Sequence, residues 1–260
     1  MIKRWMPGEG KVSMKQKAKY LRQTQKFWET CLDIVFPSRC PVCDEPAPLP
    51  ALICPACRKK AVVIKAPRCL RCGKHIEDGR EEYCKGCRLV THEFLQGRGL
   101  FLYSSVAGSL YRFKYAGRQE YARFYAQEIV GRMGGTIRRW RPDALVPVPI
   151  HRIRRRERGY NQAEVLAKEI GKRTGIPVAA GLLGRVKNTL PQKLLDDAGR
   201  QNNLKRAFKI NGNDVKLERV IIIDDIYTTG STVDACAAEL KRAGVKEVYF
   251  ITAAIGKELR

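Results

Sequence analysis

The 260-residue sequence contains no uninterrupted apolar run close to the ~18 residues that a membrane-spanning helix needs. The N-terminal segment MIKRWMPGEGKVSMKQKAKYLRQ is basic but lacks the apolar stretch of a secretory signal peptide. We therefore expect no membrane span and a cytoplasmic location. Acidic residues are scarce: 26 Asp and Glu stand against 50 Lys and Arg, a formal net charge of +24. Such an excess indicates either a cation-rich, solubilising surface or an anionic partner, such as nucleic acid, an anionic membrane surface or a polyphosphate.

Eight of the ten cysteines form four CxxC pairs within one short segment: Cys40 and Cys43, Cys54 and Cys57, Cys69 and Cys72, and Cys84 and Cys87. A CxxC turn places two thiolates where both can reach one ion, so that two turns complete a tetrahedral Zn²⁺ site. Disulfides need an oxidising compartment, and a redox-active CxxC normally occurs alone. The pattern therefore predicts two structural zinc sites, each with four cysteine ligands. Two pairings are compatible with the spacing: a sequential one, which needs the shorter connections, and a cross-braced one in which alternate pairs share an ion.

The chain is expected to have three parts: a basic helical extension over residues 1–36, a double zinc ribbon over 37–90 and an α/β domain over 91–260. The middle part has too few residues for a substantial apolar core, so its metals should supply much of its folding free energy. In the last part strand and helix patterns alternate, which predicts a parallel sheet with helices on both faces. Sheets of this kind bind ligands beyond the carboxyl ends of their strands.

The predicted strands cover residues 98–103, 143–150, 178–183, 219–224 and 247–253. Helical spacing extends over 110–139, with breaks near Gly117 and at Gly134 and Gly135. A second helix is expected from an Asn161 cap to about residue 173. A third is expected from residue 231 to residue 243.

The segment IIIDDIYTTGST, residues 221–232, carries the clearest chemical signal. Two carboxylates, Asp224 and Asp225, follow a buried strand, and a glycine-containing turn then leads into a helix. Backbone amides at such a helix N-terminus form a cradle for a phosphate, to which hydroxyl groups add donors. The acids cannot favour that phosphate, so they should face sugar hydroxyls or a hydrated Mg²⁺. The segment predicts a ribose 5-phosphate site with a cradle formed by Thr228, Thr229, Gly230, Ser231 and Thr232.

Two further basic segments are candidates for anion binding. Arginines bind phosphate oxygens well because they can make bidentate contacts. The arginines that follow the 143–150 strand could therefore bind a pyrophosphate, although a solvated basic turn explains them equally well. They are Arg154, Arg155, Arg156 and Arg158. In YRFKYAGR, residues 111–118, Tyr111 and Tyr115 either stack on bases of a single-stranded nucleic acid or pack into the core.

The acidic pair followed by TTGST resembles the phosphoribosyl-pyrophosphate (PRPP) binding motif of type I phosphoribosyltransferases. The stretches VPVPIHRIRRRERGYNQAEVLA and NTLPQKLLDDAGRQNNLKRAF, together with the cysteine-rich start, resemble the ComF (ComFC) competence family over about residue 36 to the C-terminus. The resemblance implies that Asp224 and Asp225 hold the ribose hydroxyls, that residues 228–232 hold the 5′-phosphate, and that Mg²⁺ accompanies PRPP. It also implies a mobile loop, in whose polar segment Lys187, Gln192 and Arg200 are lid candidates.

Resemblance to this family implies a role in natural transformation, namely the cytoplasmic handling of incoming single-stranded DNA, with a competence helicase as a further partner. The alternative is an active phosphoribosyltransferase with an unknown acceptor. Purine-salvage members carry an acidic residue three positions after the second acid of the motif. Thr228 stands there in this chain, so base-assisted attack by a purine is not expected.

Overall fold

Four parallel strands form the central sheet of the computed structural model, which describes residues 39–47, 50–186, 207–212 and 216–256. Numbered along the chain, the strands are β1 (Gln96–Leu102), β2 (Ala144–Pro147), β3 (Leu183–Arg185), β4 (Phe208–Ile210), β5 (Arg219–Tyr227) and β6 (Glu247–Ile255). The central sheet has the order β1-β6-β5-β2, and β3 pairs with β4 in a separate antiparallel sheet. The carboxyl ends of β5 and β2 therefore lie side by side, where ligands of such sheets bind.

The helices are α1 (Pro55–Arg58), α2 (Lys85–Leu89), α3 (Tyr103–Tyr115), α4 (Tyr121–Trp140), α5 (Arg152–Arg158), α6 (Gln162–Thr174) and α7 (Ser231–Arg242). In β5, successive apolar residues point to opposite faces of the sheet and are fully buried on both. Ile221 and Ile223 join the core on one face, together with α3, α4 and α6, whereas Val220 and Ile222 join the core on the other face, together with α7.

The cysteine-rich segment contributes to both cores. Cys40 and Cys57 of its first half belong to the core that contains α3 and α4, and Cys69 and Cys72 of its second half belong to the core that contains α7. The two halves therefore cover opposite faces of one sheet. Residues 39–260 form a single compact unit, and the domain boundary that the sequence predicts near residue 90 stays a prediction.

Several predicted elements are confirmed. Helix α6 begins after Asn161, whose side-chain oxygen accepts a hydrogen bond from the Ala163 N–H at 3.1 Å. The strands expected from residues 219 and 247 are β5 and β6, although β5 continues to Tyr227, so both acids of the motif belong to the strand itself.

Three expectations about local structure are wrong. Helix α4 continues through Gly134 and Gly135 because Ile129, Met133 and Ile137 anchor its apolar face, which offsets a glycine cost of about 1 kcal/mol each. The strand predicted over residues 178–183 is reduced to one bridge between Val178 and Leu145, because β3 starts only at its last residue. The basic segment after β2 is not a turn but helix α5.

The expected N-terminal extension, residues 1–36, and the lid candidates Lys187, Gln192 and Arg200 lie outside the described residues. Among the helices that the structure describes, none is both long and apolar enough to cross a bilayer.

Candidate functional site

The eight CxxC cysteines form two clusters, each containing four thiols within 4.8 Å of one another: Cys40, Cys43, Cys54 and Cys57, and Cys69, Cys72, Cys84 and Cys87. Sulfur–sulfur distances of 3.8 Å (Cys43–Cys54) and 3.6 Å (Cys72–Cys84) match the edge of a tetrahedron whose Zn–S bonds are about 2.3 Å long. The two clusters of four thiols thus fit two zinc ions. Their grouping follows the sequential pairing and not the cross-braced one.

The first cluster is fastened to the corner between α3 and α4. Asp44, in the turn that follows Cys40, adopts a positive φ of 66° and turns its carboxylate toward α4. That carboxylate accepts hydrogen bonds from the Tyr121 hydroxyl (2.5 Å) and from Arg118 (3.0 Å). Arg112 of α3 donates to two backbone carbonyls of the same turn, at 2.8 and 3.1 Å.

The second cluster is followed directly by residues that hold the start of α7. The His92 ring is buried, and its Nδ1 lies 2.8 Å from a carboxylate oxygen of Asp234 in the first turn of α7. The other oxygen of Asp234 accepts the Glu93 N–H at 2.9 Å. A Cβ on Gly230 would lie 3.1 Å from the His92 ring and 2.7 Å from the Tyr227 hydroxyl. The turn before α7 is therefore enclosed by groups that come from distant parts of the chain.

The turn from Thr228 to Ser231 leads from β5 into α7. Gly230 adopts a φ of 94°, a conformation that favours glycine, and is the N-cap of α7. A glycine N-cap has no side chain to cap α7, and a helix N-terminus of this kind is a typical place for an anion to bind. The Thr229 and Ser231 hydroxyl oxygens lie 2.8 Å apart at the mouth of the turn.

The two acids lie immediately before this turn in β5 and interact with each other. The Asp225 N–H donates to Asp224 Oδ1 at 2.8 Å. Burial and the neighbouring Asp225 charge raise the pKa of Asp224 well above its ordinary value. Burial would also raise the pKa of Asp225, but an ion pair with Lys114 of α3 lowers it. Ionisation is therefore disfavoured at Asp224 and favoured at Asp225.

Lys114 balances the single negative charge of Asp225, and its ammonium group is mostly buried. Lys114 thus offsets the charge of Asp225, which favours hydrogen bonds to sugar hydroxyls over direct ligation of Mg²⁺. Sequence reasoning missed Lys114. A signal existed, since this lysine follows Leu110 by four positions and so shares the buried face of α3 with Val106 and Leu110.

The four predicted pyrophosphate arginines all lie on α5 but face different partners. Arg155 pairs with Glu164 at 3.3 Å, Arg156 is exposed, and Arg158 contacts Tyr115. Arg154 is near Arg185 of β3, a residue that the sequence did not single out. Burial and the charge of Arg154 lower the pKa of Arg185, while Asp224 acts in the opposite direction. Arg185 is therefore close enough to Arg154 and to Asp224 for their charges to act on it, which makes these two arginines candidates for binding an anionic ligand.

The tyrosines of YRFKYAGR do not pack into the core. Tyr111 is 62% exposed and Tyr115 is 56% exposed, and their ring centroids are 5.0 Å apart. The core interpretation of their spacing is therefore wrong. Their i, i+4 positions bring the two rings together on the outer face of α3 instead.

Comparison with known families agrees with this architecture. The family described as "Double zinc ribbon domain" matches residues 31–88, and the family described as "Phosphoribosyl transferase domain" matches residues 170–258. These matches define the class: a double zinc ribbon joined to a phosphoribosyltransferase-type domain.

The "DNA utilization protein YhgH" of Salmonella typhimurium is 30% identical over 211 residues, which cover 81% of each chain. The "Competence protein ComFC" of Bacillus subtilis is 27% identical and covers 74% of this chain and 79% of its own. The "Competence protein F" of Haemophilus influenzae is 38% identical over 41% of this chain, and the match spans about half (48%) of that relative's length. The chain belongs to this ComF family of competence and DNA-utilization proteins.

Among solved structures, the "Crystal structure of purine phosphoribosyltransferase from Pyrococcus horikoshii Ot3" is 16% identical and covers 51% of this chain and 82% of its own. The TM-score is 0.31, a likeness too weak to support an argument.

Proposed function

We propose that this protein binds a 5-phosphorylated ribose, PRPP in particular, at the carboxyl end of β5. The observation that carries the proposal is the order of features along the chain: two acids in β5, of which Asp225 is buried, then a glycine turn with a positive φ and the N-terminus of α7. In this proposal Asp224 and Asp225 hydrogen-bond the ribose hydroxyls. The N–H and hydroxyl groups of residues 228–232 hold the 5′-phosphate.

The pyrophosphate of PRPP is proposed to lie toward α5 and β3, where Arg154 and Arg185 supply positive charge. The loop after β2 is fixed for such a role because the Asn161 amide donates to the Val148 carbonyl at 3.0 Å. Mg²⁺ would neutralise pyrophosphate oxygens and would arrive with the ligand. The chain's own residues orient the sugar and keep the two acids at fixed charge.

The proposed biological role is the handling of transforming single-stranded DNA in the cytoplasm. Two relatives are named competence proteins and a third is named a DNA utilization protein, which supports this role. The net charge of +24 and the exposed tyrosines of α3 also support it. A competence helicase is proposed as a protein partner.

Calorimetry with two sugar phosphates tests the ligand site. Ribose 5-phosphate should bind the wild type more tightly than 2-deoxyribose 5-phosphate, because only the former offers a 2-hydroxyl to the acids. Asp224→Ala should remove this difference by weakening ribose 5-phosphate binding about 2- to 10-fold, since a hydrogen bond to an uncharged group contributes about 0.5–1.5 kcal/mol. Tyr111→Ala, on the outer face of α3, is the matched control and should keep the difference. Equal binding of both sugars by the wild type would refute the proposed role of the acids.

A second candidate function is phosphoribosyl transfer to an acceptor, because the acid pair and the phosphate turn are both present. Release of pyrophosphate from PRPP with one of a panel of nucleobases and amines would support it. PRPP binding without pyrophosphate release in that panel would favour a ligand-binding role.

A further inference from the structure

The outer face of α3 carries two exposed aromatic rings, and a guanidinium group of α5 lies beside them. We call Tyr111, Tyr115 and Arg158 the tyrosine face. The Arg158 guanidinium carbon lies 4.7 Å from the centroid of the Tyr115 ring, and Arg158 also donates to the Tyr115 hydroxyl at 3.1 Å. The two tyrosine rings are tilted by 45° and remain more than half exposed. Large exposed rings beside a fixed cation are typical of a binding surface rather than of a core.

The chemistry of this face fits a single-stranded nucleic acid. Aromatic side chains stack on bases of any sequence, and neighbouring cations hold the phosphates. Helix α5 supplies the cations, since five of its seven residues are arginines: Arg152, Arg154, Arg155, Arg156 and Arg158. An acidic peptide would use the same charges, but it would not need two adjacent open ring faces.

Arg158, Gln162 and Lys114 lie between the tyrosine face and the acid pair. The other terminal guanidinium nitrogen of Arg158, Nη1, donates to the Gln162 side-chain oxygen at 3.2 Å. Gln162 is buried, and hydrogen bonding from its side chain helps to lower the pKa of Asp225. Asp225 in turn pairs with Lys114, the residue next to Tyr115 in α3. The contacts of Arg158 and of Lys114 therefore relate the surface to the proposed sugar site.

We propose that the tyrosine face binds single-stranded nucleic acid and that a sugar phosphate at the acid pair weakens this binding through Arg158, Gln162 and Lys114. The coupling rests on the proposed function, whereas the binding surface does not. A sugar diol that engages Asp225 competes with Lys114 and Gln162, and the phosphates of both ligands draw on the same cations of α5. By linkage, the nucleic acid weakens sugar-phosphate binding by the same factor.

Fluorescence anisotropy of a labelled oligothymidylate with the full chain tests both parts at constant ionic strength. We expect saturating PRPP with Mg²⁺ to weaken oligonucleotide binding at least about fivefold, the lower end of typical coupling. Tyr111→Ala with Tyr115→Ala should lose oligonucleotide binding about tenfold or more, because stacking contributes about 1–3 kcal/mol per base. Calorimetry should find the PRPP affinity of Tyr111→Ala alone unchanged. Tyr115→Phe keeps the ring and should retain the oligonucleotide.

Gln162→Leu removes the acceptor of the Arg158 hydrogen bond. It should bring the ratio of oligonucleotide affinities with and without PRPP close to one. Unchanged oligonucleotide affinity in the double tyrosine variant would overturn the binding surface. Binding of polyglutamate but not of oligothymidylate would do the same and would assign the face to an acidic protein. PRPP binding with no effect on the oligonucleotide would overturn the coupling alone. Absence of PRPP binding would overturn the proposed function and the coupling together, while the surface would still be judged by the tyrosine variants.

Discussion

Replacement of Asp225 by asparagine tests the charge state of the acid pair. Asp225 is 4% exposed and pairs with the mostly buried Lys114. Asp225→Asn preserves the side-chain size but leaves the Lys114 ammonium without its counter-ion. Removing one partner of a buried ion pair costs about 3–5 kcal/mol, and 1 kcal/mol shifts Tm by roughly 2–4 °C in a chain of this size. We therefore expect the Tm of this variant to fall by roughly 6–20 °C.

Asp224→Asn is the matched control. The raised pKa of Asp224 means that its ionised form destabilises the fold, whereas asparagine cannot ionise and still accepts the Asp225 N–H. We expect a Tm at neutral pH that is equal to or above that of the wild type. Because the folded pKa lies above the ordinary value of 3.8, the wild type loses stability as the pH rises from that value through the folded pKa. The asparagine variant should lack this loss.

Thermal melts followed by circular dichroism over a series of pH values measure both effects, with zinc content as a check on the rest of the fold. Equal losses of Tm in the two variants would refute the opposite pKa shifts of the two acids. A pH dependence that is the same in Asp224→Asn and in the wild type would refute it as well.

Three further predictions concern the metals and the turns. Each wild-type chain should release two zinc ions to a colorimetric chelator after its thiols are blocked, and each Cys69→Ser chain should release one. An unchanged zinc yield from the Cys69→Ser variant would contradict the assignment of two sites. Gly230→Ala should lower the free energy of unfolding by about 1–3 kcal/mol and abolish ribose 5-phosphate binding in calorimetry, because its Cβ would lie 2.7 Å from the Tyr227 hydroxyl. Intact binding would argue against the phosphate turn. Asp44→Ala should lower the free energy of unfolding by about 1–3 kcal/mol in a denaturant melt. Asp78→Ala, which removes an exposed ion pair, should leave that free energy nearly unchanged. A reversed order would contradict the role of the Asp44 contacts in holding the first cluster.

The features that could be predicted from the sequence are local ones. The CxxC spacing is enough to indicate two metal sites, because both thiols of each turn are close neighbours in the chain. The motif from Asp224 to Thr232 likewise keeps its acids, its glycine and its helix start within a few residues. The continuous apolar runs of β5 and β6 indicate a buried parallel sheet for the same reason.

The features that escaped prediction depend on contacts between distant parts of the chain. Lys114 reaches Asp225 only because α3 packs beside β5, and His92 reaches Asp234 across 142 positions. The exposure of Tyr111 and Tyr115 could not be read from their spacing, because an i, i+4 pair faces the core or the solvent with the same periodicity. Which face of α3 is buried is decided by Val106, Leu110 and Phe113.

The last turn of α3 has a consequence for genetics. Four consecutive residues there serve four neighbours: Arg112 holds the first cysteine cluster, the Phe113 carbonyl accepts the Tyr160 hydroxyl, Lys114 pairs with Asp225, and Tyr115 receives Arg158. Alleles in this turn should therefore be pleiotropic, so a transformation defect caused by them cannot be ascribed to one activity. Tyr111 precedes these four residues and makes none of the four contacts, although its ring packs against Tyr115. It is the position at which a separation-of-function allele should be sought first.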